Sequence, residues 1–328
     1  MLGGCLRLRQ SAGRMRQLAS VVWFCAGALV ALAAVSLLFL GSSPNPRSHP
    51  ALRERNSMSL AVVTAVKRAL KRPRVVASFT TFPIGTRMAG VGKMLSSLSN
   101  QSWKLDGVVM NLPDKIERLS PDVLPIPPEV REWERAYGSW LTVHQMKDYG
   151  PATKLLGTLQ LEKDPDTIII VLDDDTYYHY DMVAALVSTM LSTPDDIAPA
   201  FKCEDVFKDF WGKMKWRYNK VEGRCSGFAE GFAAYAVRPR YFDQRVFELS
   251  SGPKGCRLHD DVWISGSMLV ASGVRPHLVT PGFDSIFGSA VNDIGARQQE
   301  SVFVANKKAL EKGESPQRDC VEHFPFVA

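Results

Sequence analysis

Three aspartates, Asp173, Asp174 and Asp175, follow directly on the apolar run Ile168-Ile169-Ile170-Val171-Leu172. Adjacent carboxylates repel one another, and a divalent cation with hard oxygen ligands relieves that repulsion. In an extended chain alternate side chains share a side, so Asp173 and Asp175 form the pair that would face such a cation. A second acidic pair, Asp260-Asp261, stands between His259 and Val262-Trp263. One of these acids could serve as a general base, provided its pKa is raised toward neutrality. Proximity of the other acid raises it, and a nearby metal lowers it. Lys154 comes just after Gly150-Pro151-Ala152-Thr153, where a helix begins and its dipole favours anions. The glycine-containing stretch Gly227-Phe228-Ala229-Glu230-Gly231 would let backbone approach a ligand closely.

Three chemistries compete for the aspartate triplet. In the first, a metal holds the diphosphate of a nucleotide sugar during glycosyl transfer. In the second, the strand ends in the D-x-D-x-[TV] nucleophile motif of a haloacid-dehalogenase-like phosphatase. Asp173 and Asp175 match that motif, but Tyr177 stands at its fifth position and Thr176 one place early. The third is a non-catalytic, calcium-dependent sugar-binding module. It needs further oxygen ligands, and no EF-hand-like spacing exists.

These residues need a scaffold that brings strand ends together, and the pattern supplies one. Apolar, β-branched runs at 75–81, 107–112 and 167–172 read as strands, as do 140–144, 231–237 and 275–280. Helical patterns at 86–98, 151–161, 180–191 and 261–271 alternate with them. A Pro-rich loop runs through Pro113, Pro121, Pro125, Pro127 and Pro128. Alternation of this kind predicts an α/β fold with a mostly parallel sheet flanked by helices. Ligands of such sheets bind at the carboxyl ends of strands, where the triplet stands.

The chain has 328 residues and a formal net charge of +6. Residues 1–72 hold 11 Lys and Arg against the single acid Glu54, while the remainder holds 29 bases and 33 acids. The basic excess is therefore terminal, and a nucleic-acid-binding body is excluded. Leu18 to Leu40 carries no charged residue. At about 1.5 Å per residue it would span roughly 35 Å as a helix, enough to cross a bilayer. Arg7, Arg9, Arg14 and Arg16 precede it, so the positive-inside rule puts the N-terminus in the cytosol. The expected organisation is a cytosolic tail at 1–17, a transmembrane anchor at 18–40, a stem at 41–72 and a lumenal domain at 73–328. Cys203, Cys225, Cys256 and Cys320 would then lie in an oxidising compartment, with three disulfide pairings open to them. Asn100-Gln101-Ser102 is an N-glycosylation sequon.

Taken in order, five motifs over residues 74–281 give the chain its resemblance to the GT-A, DXD-containing nucleotide-sugar glycosyltransferases. They are Ser78-Phe79-Thr80-Thr81-Phe82-Pro83 with Arg87, then Asp148 to Lys154, then Leu172 to Asp175. Gly227 to Phe232 and His259-Asp260-Asp261-Val262-Trp263 complete the set. The resemblance implies a GT-A (Rossmann-like) domain and, with the anchor and stem, a type II Golgi membrane enzyme. It implies that Asp173 and Asp175 hold Mn²⁺ or Mg²⁺ against the donor diphosphate, with Asp174 beside them. His277 is the candidate for an additional metal ligand. Thr80, Thr81, Arg87 and Lys154 would contact the nucleotide, and Glu230 and Gly231 the donor and acceptor sugars. Asp261 matches the base of inverting members, although His-Asp-Asp replaces the usual Glu-Asp and leaves Asp260 as an alternative. Trp263 is left between acceptor pocket and core. The implied partners are a nucleotide-sugar donor and a glycan, glycoprotein or glycolipid acceptor.

Overall fold

A computed structural model describes residues 72–82, 87–116, 122–193, 196–280 and 315–327, and from Pro73 onward these belong to one compact unit, Pro73–Ala328. The segments 1–17, 18–40 and 41–71 lie outside the described residues. Among the described residues, no helix is long and apolar enough to cross a membrane.

The centre of the unit is an eight-stranded sheet. Strand β1 (Val75–Thr80) is followed by helix α1 (Arg87–Ser99), β2 (Gly107–Pro113), α2 (Pro128–Tyr137) and β3 (Leu141–Met146). Next come α3 (Thr153–Leu161), β4 (Ile168–Val171), α4 (Met182–Ser192) and β5 (Ala198–Ala200). The chain continues through β6 (Glu204–Lys208), β7 (Met214–Tyr218), β8 (Gly223–Arg224), β9 (Tyr235–Val237), α5 (Asp260–Ser272), β10 (Pro276–Leu278) and α6 (Pro316–His323). The spatial order is β3-β2-β1-β4-β9-β5-β10-β8, with β6 and β7 forming a separate hairpin. β1 pairs in parallel with both β2 and β4, while β9 runs antiparallel to β4 and β5. The expected α/β fold with a mostly parallel sheet is present. β1 and β4 are central strands covered on both faces, which is why their sequences are continuous apolar runs.

From β1 the chain steps outward through β2 to β3, then returns to the other side of β1 to lay down β4. A crevice opens where the strand order reverses in this way, at the carboxyl ends of β1 and β4.

The structure departs from the pattern reading in several places. The end of the Pro-rich stretch is a helix, because Pro128 at its first position carries a fixed φ and needs no N–H partner. Residues 231–233 form a 3₁₀ turn, and only Tyr235–Val237 of the expected strand pairs. The hairpin β6–β7 has no counterpart in the sequence pattern described above, although Met214 to Tyr218 alternates apolar and charged residues as a half-buried strand does. Two disulfides choose among the three pairings: Cys203–Cys225 and Cys256–Cys320.

Candidate functional site

The crevice is built around one buried lysine. Ser78 on β1 and Asn111 on β2 are polar residues at fully buried strand positions. The Ser78 hydroxyl donates to the Lys154 carbonyl, and Asn111 Nδ2 donates to the same carbonyl at 3.1 Å and to Thr158 Oγ1 at 3.0 Å. Gly157 is required here, since a Cβ would lie 2.0 Å from Asn111 Oδ1. This network locks the first turn of α3 onto the sheet and fixes where the Lys154 side chain starts.

From there Lys154 reaches the end of β4. Its Nζ donates to Asp173 Oδ1 and lies 3.0 Å from Asp260 Oδ2. The second contact is an ion pair without hydrogen-bond geometry, so Asp260 Oδ2 is buried and charge-compensated but not hydrogen-bonded. Asp260 and Asp261 occupy the first turn of α5, where the helix dipole favours negative charge. Asp261 Oδ1 accepts the Gly231 backbone N–H at 3.0 Å. A Cβ on Gly231 would stand 2.8 Å from Lys154 Nζ, 3.1 Å from Asp261 Oδ1 and 3.5 Å from Asp173 Oδ1. Motifs spread over more than a hundred residues of sequence thus meet within one methyl group's reach.

The antiparallel β9 makes this meeting possible. Val171 pairs with Tyr235, so the chain just before β9 runs along the carboxyl end of β4. Ala234, at this junction, is the one non-glycine residue with positive φ (71°) among those described. Such a conformation costs about 1–3 kcal/mol and persists only where surrounding contacts impose it. Ala229 N–H donates to Ser265 Oγ on α5 at 3.1 Å, tying the same loop to the helix that carries Asp261.

Electrostatics follow from crowding. Burial alone would lower the Lys154 ammonium, but Asp173, Asp260 and Asp261 together hold it well above its ordinary value. Burial pushes Asp261 well up, Asp260, Glu230 and Asp173 add to the rise, and Lys154 opposes it. Glu230 is pushed to about 7 by burial and by Glu204, Asp260 and Asp173. Tyr178, missed in the sequence, receives the Asp173 N–H on its hydroxyl at 3.0 Å and is itself fully buried. The Tyr235 hydroxyl is buried beside the cluster without a hydrogen-bond partner, and burial and Asp261 push it well up.

The other candidates fall as follows. Asp174 is buried at 2 % exposure while Asp173 and Asp175 are part-exposed; β4 ends at Val171, so it is the turn at Asp174-Asp175, and not an extended chain, that separates them. Thr80 Oγ1 donates to the Asn111 carbonyl at 2.8 Å, and Thr81 is buried at the end of β1. Arg87 opens α1, and its side chain lies outside the described residues. His277 sits on β10 between Pro199 of β5 and Arg224 of β8, three strands from β4. Among the described residues, no group of three or more His, Cys, Asp or Glu is arranged to hold a metal. His277 is therefore not brought to Asp173 and Asp175. Trp263 is core: it is buried, donates from Nε1 to the Val246 carbonyl at 2.8 Å and packs edge-on against Phe324. The buried serine in VVASFT and the asparagine in VVMNLP were the legible signals for the missed positioning residues Ser78 and Asn111.

No family model and no curated protein matches the chain. Among solved structures it is similar to a mannosyltransferase from Pyrobaculum calidifontis in complex with GDP-Man and Mn²⁺. That match has 17% identity and a TM-score of 0.44, over 93% of this chain and 78% of that one. S. aureus TarS 1–349 in complex with UDP matches at 10% identity and TM-score 0.40, over 65% and 59%. GalNAc-T7 with UDP, GalNAc and Mn²⁺ matches at 13% and 0.40, over 73% and 48%. The chain thus spans little more than half the length of TarS 1–349 and about half that of GalNAc-T7.

Proposed function

We propose that the protein is a metal-dependent glycosyltransferase of the GT-A type. It moves a sugar from a nucleotide diphosphate sugar to a hydroxyl of a glycan, glycoprotein or glycolipid, with inversion at the anomeric carbon. The observation that carries this reading is the convergence of Asp173, Lys154, Gly231 and Asp261 at the point where the strand order reverses. The donor set fits a divalent cation. Asp173 and Asp175 are part-exposed hard oxygen donors, and the buried Asp260 Oδ2, which shares Lys154 with Asp173, lacks a hydrogen bond. Mn²⁺ or Mg²⁺ is commonly held by one or two carboxylates plus substrate phosphates, so the two aspartates suffice. When bound, the ion would supply Lewis-acid stabilisation of the departing diphosphate.

The chain's own residues do the rest. Gly231 N–H fixes Oδ1 of Asp261 and leaves Oδ2 to take the acceptor hydroxyl's proton as that oxygen attacks. The upward pKa shift of Asp261 makes it the stronger base of choice for this step. Lys154, held charged, neutralises Asp173 and Asp260 and transfers no proton. The missing side chain at Gly231 lets its backbone close on the Lys154 ammonium and the Asp261 carboxylate.

The same reading makes Leu18–Leu40 a single-pass anchor and places the catalytic body in the Golgi lumen. The two disulfides support an oxidising compartment. A donor screen on the full chain tests the activity. Release of nucleoside diphosphate from one sugar nucleotide is expected with Mn²⁺, and loss of turnover by at least 100-fold in Asp173→Asn and Asp175→Asn. A folded chain that turns over no donor and binds no nucleotide would sink it.

A further inference from the structure

One buried hydroxyl contributes nothing to the fold. Ser102 Oγ is enclosed and has no hydrogen-bond partner. A buried hydroxyl left unpaired costs stability, so alanine at this position would serve folding as well or better. The sequence supplies another reason for the serine. Ser102 is the third residue of Asn100-Gln101-Ser102, the single N-x-[ST] triplet in the 328 residues.

The triplet follows α1, and the fold splits it. Asn100 is exposed. Gln101 is fully buried: its Nε2 donates to the Ser97 carbonyl at 3.0 Å and to the His179 carbonyl at 2.8 Å, and its Oε1 accepts the Val183 N–H at 3.0 Å. Ser102 N–H donates to the Tyr180 carbonyl at 2.9 Å. The amide that would carry a sugar is therefore on the surface, while the hydroxyl that a sugar transferase must reach is closed off beside residues 179–183. Those residues are made late. His179 and Val183 lie 78 and 82 positions beyond Gln101. At about 5–20 residues per second, synthesis needs roughly 4–16 s to supply them, and the triplet stays open for that time.

We propose that Asn100 carries an N-linked oligosaccharide, attached before residues 179–183 close over Ser102. The Asn100 amide nitrogen bonds to the anomeric carbon of a lipid-diphosphate-linked oligosaccharide. The bond from that carbon to the diphosphate oxygen breaks, the amide gives up one proton, and the lipid diphosphate leaves. The attachment point is clear of the crevice. Since β1 and β2 are parallel neighbours, α1 between them runs back to the amino ends of the strands, where Asp106 N–H meets the Val75 carbonyl at 2.7 Å. The proposal rests on the lumenal placement of the body and not on the reaction in the crevice.

The test translates the full chain in a cell-free system with endoplasmic-reticulum microsomes. Expected is one mobility shift that peptide N-glycosidase removes and that Asn100→Gln and Ser102→Ala each abolish. The full chain made in bacteria and purified in detergent carries no sugar. Offered in that folded form to solubilised oligosaccharyltransferase and its lipid-linked donor, it is expected to take up none, while a synthetic peptide of residues 96–106 is modified. Ser102→Ala of the bacterial chain is expected to unfold at the same temperature as the parent or higher. Added protease separates the two readings, because a lumenal body is protected until the microsomes are dissolved. A protected body with Asn100 unmodified overturns the proposal and spares the placement; an unprotected body overturns both. Sugar uptake by the folded chain would overturn the order of attachment and folding. A lower unfolding temperature for Ser102→Ala would overturn it too, since the hydroxyl would then serve the fold.

Discussion

The two ends of β4 carry the same chemistry in opposite settings. At its start, Arg240 pairs with Asp166 and, at 2.6 Å, with Asp196, and all three side chains are at least 32% exposed. At its end, Lys154 pairs with Asp173 and Asp260 while only 6% exposed. Antiparallel β9 serves both. Its far end delivers Arg240 to the first cluster, and the loop before it delivers Gly231 to the second. In water the first cluster is worth little, because solvent already stabilises each charge. Away from water, a charge that loses its partner has no substitute. One strand therefore shows that burial, and not the pairing of acid with base, makes an electrostatic site.

The largest test of that contrast is Lys154→Met. It leaves Asp173, Asp260 and Asp261 crowded without a cation, so a loss of about 3–5 kcal/mol in urea unfolding at neutral pH is expected. Turnover should vanish as well. At lower pH the penalty should shrink, because acids that take up protons no longer need the lysine. An unchanged penalty across pH would contradict the electrostatic account.

Gly231→Ala probes the same cluster by volume. The added Cβ would meet Lys154 Nζ at 2.8 Å. Expected are a stability loss of about 1–3 kcal/mol and a larger relative loss in kcat/KM than in unfolding free energy.

A third outcome concerns the rim. Burial and Asp205 push Glu204 up to about 7, against Lys202, from an ordinary value of 4.5; Glu230 and Tyr218 also face it. An acid whose pKa rises on folding binds more protons in the folded state. Its contribution to stability is fully present below about 4.5 and lost as pH rises through about 7. Thermal unfolding of the native chain should therefore fall in midpoint between those values, and Glu204→Gln should flatten the slope by on the order of 1 kcal/mol.

The smallest effect is expected at the exposed end of β4. Arg240→Ala should cost less than about 1 kcal/mol and leave turnover unchanged. A cost equal to that of Lys154→Met would erase the distinction between the two ends.

Much of the scaffold was legible in the sequence because local pattern encodes burial. The β-branched run Ile168–Val171 reads as a buried strand and is one, and the acids that follow it lie at its end. The exposure of Asp173 and Asp175 beside a buried Asp174 matches the expected pair, but a turn after Val171 produces it and not the period of an extended chain. The hairpin was hidden for the converse reason. Met214, Trp216 and Tyr218 alternate with Lys215 and Arg217 as a half-buried strand does, but the pattern lasts only five residues.

What the sequence by itself determined, then, is which residue types stand at the ends of which elements. It pointed to Asp173, Lys154, Gly231 and Asp261 one by one. Only the tertiary structure decided that Lys154 is the counter-ion of two carboxylates, that Gly231 borders Lys154, Asp173 and Asp261, and that His277 lies three strands away. The physical reason is that side-chain period and propensity act over a few residues. Contacts between residues 19 and 106 positions apart depend instead on strand order, and here on one antiparallel strand inserted beside β4.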